Sequence, residues 1–129
     1  MHSAPLRISL VRAPDDLAIG STKLQLIFGK CRAFLHLRGV MVSTPMSYGE
    51  AEMAAGCYIG EFIVSLVQAI EPPVEIVLDA WFEGRSDRIV RLTVGDAEVV
   101  AQSTKEAVAF LRCARQLREA PYACDEVRL

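Results

Sequence analysis

Glu61 is the only charged residue between Glu52 and Glu71. A carboxylate set in so apolar a stretch has its ionised form disfavoured and can act as a general acid or base. Together with His36 and Tyr48 it would make a pocket for a small molecule, or for a minor enzymatic activity, between a long helix and a first sheet. The small and polar neighbours of Glu61 nevertheless favour a water-facing carboxylate over a catalytic one. Cys57 would need an imidazole partner to act as a nucleophile, and only His36 is a realistic one; no spacing ties the two together. The chain carries no G-x-S-x-G, no H-E-x-x-H and no phosphate-cradling glycine loop. Cys31, Cys57, Cys113 and Cys124 are spread without a C-x-x-C or a Cys/His cluster, which argues against a zinc site and against a disulfide scaffold. Reduced, mostly buried thiols are expected, with neither metal nor cofactor.

A second set of residues speaks for binding rather than catalysis. Glu75 to Glu83 alternates, with Ile76, Leu78, Ala80 and Phe82 on one side and Asp79, Trp81 and Glu83 on the other. Read as a strand paired with the next one so that Phe82 meets Val90, it puts Trp81 opposite Arg91. Tryptophan beside arginine on a half-apolar face is typical of an interface hot spot; the bland alternative is a cross-strand stack of Trp81 on Arg91, with Asp79 and Glu83 neutralised locally. Arg112, Arg115 and Arg118 share a helix with Glu106 and Glu119 and read as a solvated face.

These residues need elements to carry them. Gly95-Asp96 between two alternating runs predicts a two-residue hairpin pairing Val94 with Ala97, Leu92 with Val99 and Val90 with Ala101 on an apolar face. A one-residue slip would mix that face with the polar one. The run 75–83 adds a third strand, and Ser103-Thr104-Lys105-Glu106 is a capping box opening a helix that lasts until Pro121. In the first half, Leu6 to Arg12 reads as a strand ending at Pro14-Asp15-Asp16, and Gly29-Lys30 as a second hairpin turn with Phe28 against Cys31 and Leu24 against Leu35. A long helix, Glu50 to Ile70, follows. Its polar residues form one narrow stripe, so it is expected to be covered on most sides. Gly56 and Gly60 leave a flat strip on it, to pack on the protein's own sheet or to form part of a homodimer interface.

The fold class expected is therefore α+β: one domain over 1–129, two antiparallel three-stranded meanders each followed by a helix (βββα-βββα), with the long helix central. The halves 5–70 and 73–120 repeat one grammar, but almost no residue identity supports a true duplication. With 129 residues, 52% of them hydrophobic and 23% charged, the chain is long enough for a core and too apolar for disorder. No secretory signal is visible at the N-terminus, and the apolar stretch Met53 to Ile70 contains Glu61 and lacks flanking Lys/Arg anchors, so a membrane span is not expected. Eleven of the 14 basic residues are arginine, a usage suggesting a GC-rich bacterial genome and, with the cysteine pattern, a cytoplasmic protein.

The net charge of −2 disfavours a nucleic-acid binder. That near-neutral total conceals a layout: residues 39–84 hold seven acids and no Lys or Arg. Glu75, Asp79 and Glu83 are thus expected to meet positive charge, from the chain's own arginines or from a partner with a basic surface. The function these features favour is a non-enzymatic protein-interaction module, of adaptor, chaperone-like or inhibitor type, working as a homodimer.

Overall fold

A computed structural model of the chain describes residues 5–18, 21–47 and 57–119. The class is α+β, as expected, but the order of elements is not two βββα units. In chain order they are β1 (Pro5–Val11), α1 (Thr22–Leu37), β2 (Val42–Ser43), β3 (Met46–Ser47), β4 (Cys57–Tyr58), β5 (Glu61–Ser65), α2 (Leu66–Ala69), α3 (Pro72–Gly84), β6 (Ile89–Val94), β7 (Ala97–Ala101) and α4 (Thr104–Glu119). Five strands form one antiparallel sheet in the order β2-β5-β1-β6-β7, and β3 pairs with β4 separately.

Alternation in the sheet decides where the core lies. Leu6, Ile8 and Leu10 of β1 line up with Val64 and Phe62 of β5 and with Leu92 and Val90 of β6, and all are buried. The buried residues of the helices, Leu24, Phe28 and Leu35 of α1, Val74, Leu78 and Trp81 of α3 and Ala107 and Leu111 of α4, join these in one cluster. The helices therefore cover one face of the sheet. The other face, bearing Arg7, Glu61, Arg91 and Glu98, has no helix over it among the described residues.

The C-terminal part matches the sequence reading. The β6–β7 register is Val94–Ala97, Leu92–Val99 and Val90–Ala101. Gly95 has φ +57° and, among the described residues, no non-glycine residue has positive φ, which is the type II′ pattern that suits the right-handed twist of a two-residue hairpin. Ser103 Oγ accepts a hydrogen bond from the Glu106 amide (3.2 Å), and the Glu106 carboxylate accepts one from the Gln102 amide (2.7 Å), so α4 starts where its cap was read.

Three expected elements are corrected. Residues 22–37 are a helix, not a hairpin: Ser21 caps it by accepting from the Leu24 amide, and the residues it buries, Leu24, Phe28, Cys31 and Leu35, recur at spacings of four and three. Gly29 lies inside that helix. Residues 75–83 are also helical. Pro72 sits in the first turn, where its missing N–H costs nothing, and the buried set is Val74, Val77, Leu78 and Trp81 rather than an alternating one. The long helix expected over 50–70 gives way, among its described residues, to β4, β5 and the single turn of α2; residues 48–56, with Tyr48 and Gly56, lie outside the described part. Gly60 explains the break. Its φ is +83°, its carbonyl accepts from the Leu10 amide at 2.8 Å, and a Cβ there would stand 3.0 Å from the Phe28 ring and 3.1 Å from the Leu10 carbonyl oxygen. Left-handed backbone and close approach both demand glycine, so Gly60 serves a turn against β1 and α1 rather than a helical strip.

Candidate functional site

The largest departure from the sequence reading is at Trp81. It is 1% exposed on the inner side of α3, with its ring 5.9 Å from that of Phe28 and its indole N–H donating to the Ile89 carbonyl at 3.1 Å. Arg88 lies over the ring at 4.1 Å from its centroid and is itself 6% exposed. Its guanidinium donates to both oxygens of Asp16 at 2.7 and 3.1 Å. Asp16 also accepts from the amides of Leu17 and Ala13. Arg88 foremost, helped by those two amides, holds the Asp16 carboxyl far below the usual carboxylate range in spite of burial. Beside this pair, Arg85 bonds to Asp15 and to Asp87. The turn after β1 and the turn after α3 are thus clamped by reciprocal charges, so these arginines are already engaged within the fold.

Arg91 is not opposite Trp81. It stands on the uncovered face of the sheet, paired with Glu98 at 3.3 Å. Asp79 and Glu83 are on the outer side of α3, exposed, so the four residues singled out for binding are divided among three places. The pocket set is likewise dispersed: His36 is exposed in the last turn of α1, whereas Glu61 bonds to Arg7 on the sheet face away from the helices. Cys31 is free, and burial pushes its thiol up to about 11, which leaves it without thiolate character at neutral pH. Cys113 is disulfide-bonded, contrary to the expectation of reduced thiols throughout. Among the described residues no group of three or more His, Cys, Asp or Glu could hold a metal ion, and no helix is long and apolar enough to cross a membrane.

What the fold does bring together is charge on the outside of the helix layer. Glu75, Asp79 and Glu83 follow one another at intervals of four, which stacks them along one side of α3, and Glu71, its extended N-cap residue, precedes them by the same interval. All four are exposed, and none takes part in an ion pair among the described residues. Ile76, 50% exposed, and Ala80 flank the column. The neighbouring α1 shows the opposite sign. Lys23 and Lys30 border an open groove of about 380 Å³ whose apolar lining is Leu17, Leu26 and Ile27, and which Arg88 also lines. Leu26 is 56% exposed there. Two packed helices therefore present an acidic and a basic surface, each with an apolar residue in it.

The acidic column was partly readable, because Glu75, Asp79 and Glu83 stand in the segment without Lys or Arg. Arg88 and Asp16 were missed. The signal was available in Pro14-Asp15-Asp16 and Arg85-Ser86-Asp87-Arg88, two turns with matching charges. No protein-family model matches the chain, and no curated protein or solved structure does either.

Proposed function

We propose that this chain is a non-enzymatic protein-interaction module that docks a partner with a basic surface on the outer side of α3. The observation that carries the reading is the unneutralised column Glu71, Glu75, Asp79 and Glu83 beside the exposed Ile76. Like charges four apart on a helix repel by a few tenths of a kcal/mol per pair, and acids near its C-terminus also oppose the macrodipole. Glu71 and Glu75 suit the N-terminal end of α3, but Asp79 and Glu83 toward its C-terminal end form a charge pattern that works against the helix. A partner presenting Lys or Arg at helical spacing around an aliphatic side chain relieves that repulsion and covers Ile76.

The test is a titration of isotope-labelled protein with a helical peptide bearing lysines four apart and leucines between them. Amide shifts confined to residues 71–83 are expected, weakening as salt rises from about 0.1 M to about 1 M and the Debye length falls from about 10 to about 3 Å. Loss of these shifts in Glu75→Lys/Asp79→Lys/Glu83→Lys supports the reading. Binding elsewhere, or binding indifferent to those substitutions, overturns it.

The competing reading, a small-molecule or enzymatic pocket at His36, Tyr48 and Glu61, has His36 and Glu61 on opposite sides of the sheet. A bacterial cytosolic setting has one observation against it, the Cys113 disulfide, since such bonds persist mainly in oxidising compartments. Counting free thiols in protein taken from its native compartment decides between a reducing and an oxidising setting.

A further inference from the structure

The two edges of the sheet are built differently. One edge strand, β2, is only two residues long, and shortness is a common protection against edge-to-edge pairing. The other, β7, runs five residues, Ala97-Glu98-Val99-Val100-Ala101, with no proline and no lysine. Among the described residues no strand lies beside its outer edge.

The hairpin decides which backbone groups are free there. A two-residue turn closes on a hydrogen-bonded pair, here Val94 with Ala97, and hydrogen-bonded pairs alternate with non-bonded ones along an antiparallel ladder. Ala97, Val99 and Ala101 therefore bond inward to β6. The N–H and C=O of Glu98 and Val100 point outward.

We propose that β7 pairs with β7 of a second copy of this chain, antiparallel and centred on Val99, to form one continuous sheet across a homodimer. Outward groups must face outward groups, which limits a two-fold pairing to a few registers. Centring on Glu98 sets two carboxylates against each other, an unfavourable cross-strand pair. Centring on Val100 leaves Ala97 beyond the overlap. Centring on Val99 overlaps all five residues, sets each Glu98 opposite the other copy's Val100 and brings the two Val99 residues together. Four main-chain hydrogen bonds result, between Glu98 and Val100 in both directions. Val100, 46% exposed in the single chain, is covered at the seam. Glu98 keeps its own Arg91, so no unpaired charge enters the contact. This inference is independent of the reading of α3, which belongs to the helix layer and stays open in such a dimer.

Sedimentation equilibrium of the wild-type chain at about 0.1 mM is expected to give twice the 14.2 kDa chain mass; a 14.2 kDa species overturns the proposal. Val100→Pro removes an outward N–H without touching the β6–β7 bonds and is expected to halve the mass. Val100→Glu, which sets a second carboxylate against the other copy's Glu98, should do the same, and a helical and sheet signal unchanged in circular dichroism shows that either variant is folded. A folded variant that remains dimeric places the contact elsewhere and overturns the seam. Register is read by oxidative cross-linking. Val99→Cys should form an intermolecular disulfide, because facing non-bonded pairs have Cα atoms about 4.5 Å apart, within disulfide reach. Cross-linking by Glu98→Cys instead of Val99→Cys overturns the register.

Discussion

The two sides of α3 treat charge in opposite ways. On the inner side Trp81 lies under the Arg88 guanidinium, which is closed off by Asp16, which is closed off in turn by two backbone amides. On the outer side four exposed carboxylates form no ion pair among the described residues. The difference follows from what each environment allows. A buried ion must be paired and hydrogen-bonded or it costs several kcal/mol, whereas an exposed one costs a few tenths. Charge on the inside is thus fixed by folding, and charge on the outside is left for something the fold does not require.

The inner side should break first. Arg88→Met keeps much of the packing on Trp81 but strands the Asp16 carboxylate, 2% exposed, and removal of one partner of a buried pair costs about 3–5 kcal/mol. Adding Asp16→Asn should return part of that loss, since the stranded charge goes with it. Urea unfolding of the two variants measures both, and a loss below about 1 kcal/mol for Arg88→Met, the range of exposed pairs, would mean that the clamp is open in solution.

Acid probes the same contrast without mutation. Because the folded protein holds the Asp16 carboxyl well below its ordinary value of 3.8, the unfolded chain binds the proton more readily. The stabilisation from this group is complete above that ordinary value and is lost as pH falls below it toward the folded one. Melting temperature should therefore drop from about pH 4 downward, more steeply in the wild type than in Asp16→Asn. Equal slopes would show that other carboxylates dominate the acid response.

A smaller effect is expected where the backbone, not charge, is the constraint. Gly60→Ala forces an L-residue into φ +83° and a Cβ against Phe28 and the Leu10 carbonyl, at a cost of about 1–3 kcal/mol. Gly29→Ala, whose Cβ would meet only the Tyr58 ring at 3.6 Å, should be neutral or slightly stabilising. If the two variants melt together, the turn before β5 is not as described.

These glycines also show why the sequence was legible in some places and not in others. At 89–101 the turn residue, the alternation and the pairing register all require one answer, and that answer stands. At 22–37, Leu24, Phe28, Cys31 and Leu35 satisfy an alternating pattern around Gly29 as well as a helical one, and only Ser21 as cap separates the two. At 75–83 the alternation was incidental, and Pro72-Pro73 was the helix-start signal that outranked it. Composition at Trp81 and Arg91 suggested a hot spot, but residue type does not fix burial. The acidic column survived the change of element because a spacing of four is a property of the sequence, although only a helix makes those residues neighbours.

The outer side of α3 should respond least in stability and most in binding. Glu83→Lys removes a repulsion with Asp79, places a cation near the helix C-terminus and creates an attractive pair four residues from Asp79. Each change favours the helix, so the variant should be more stable by about 0.5 kcal/mol. The same variant should bind the lysine-bearing peptide several-fold more weakly. Opposite signs from one substitution would mean that the column is maintained against the interest of the fold. If stability rises and binding is unaffected, Glu83 lies outside the docking surface, which then narrows to Glu71, Glu75 and Asp79. If stability falls instead, Glu83 has a cationic neighbour in solution and the contrast between the two sides of α3 is weaker than its geometry indicates.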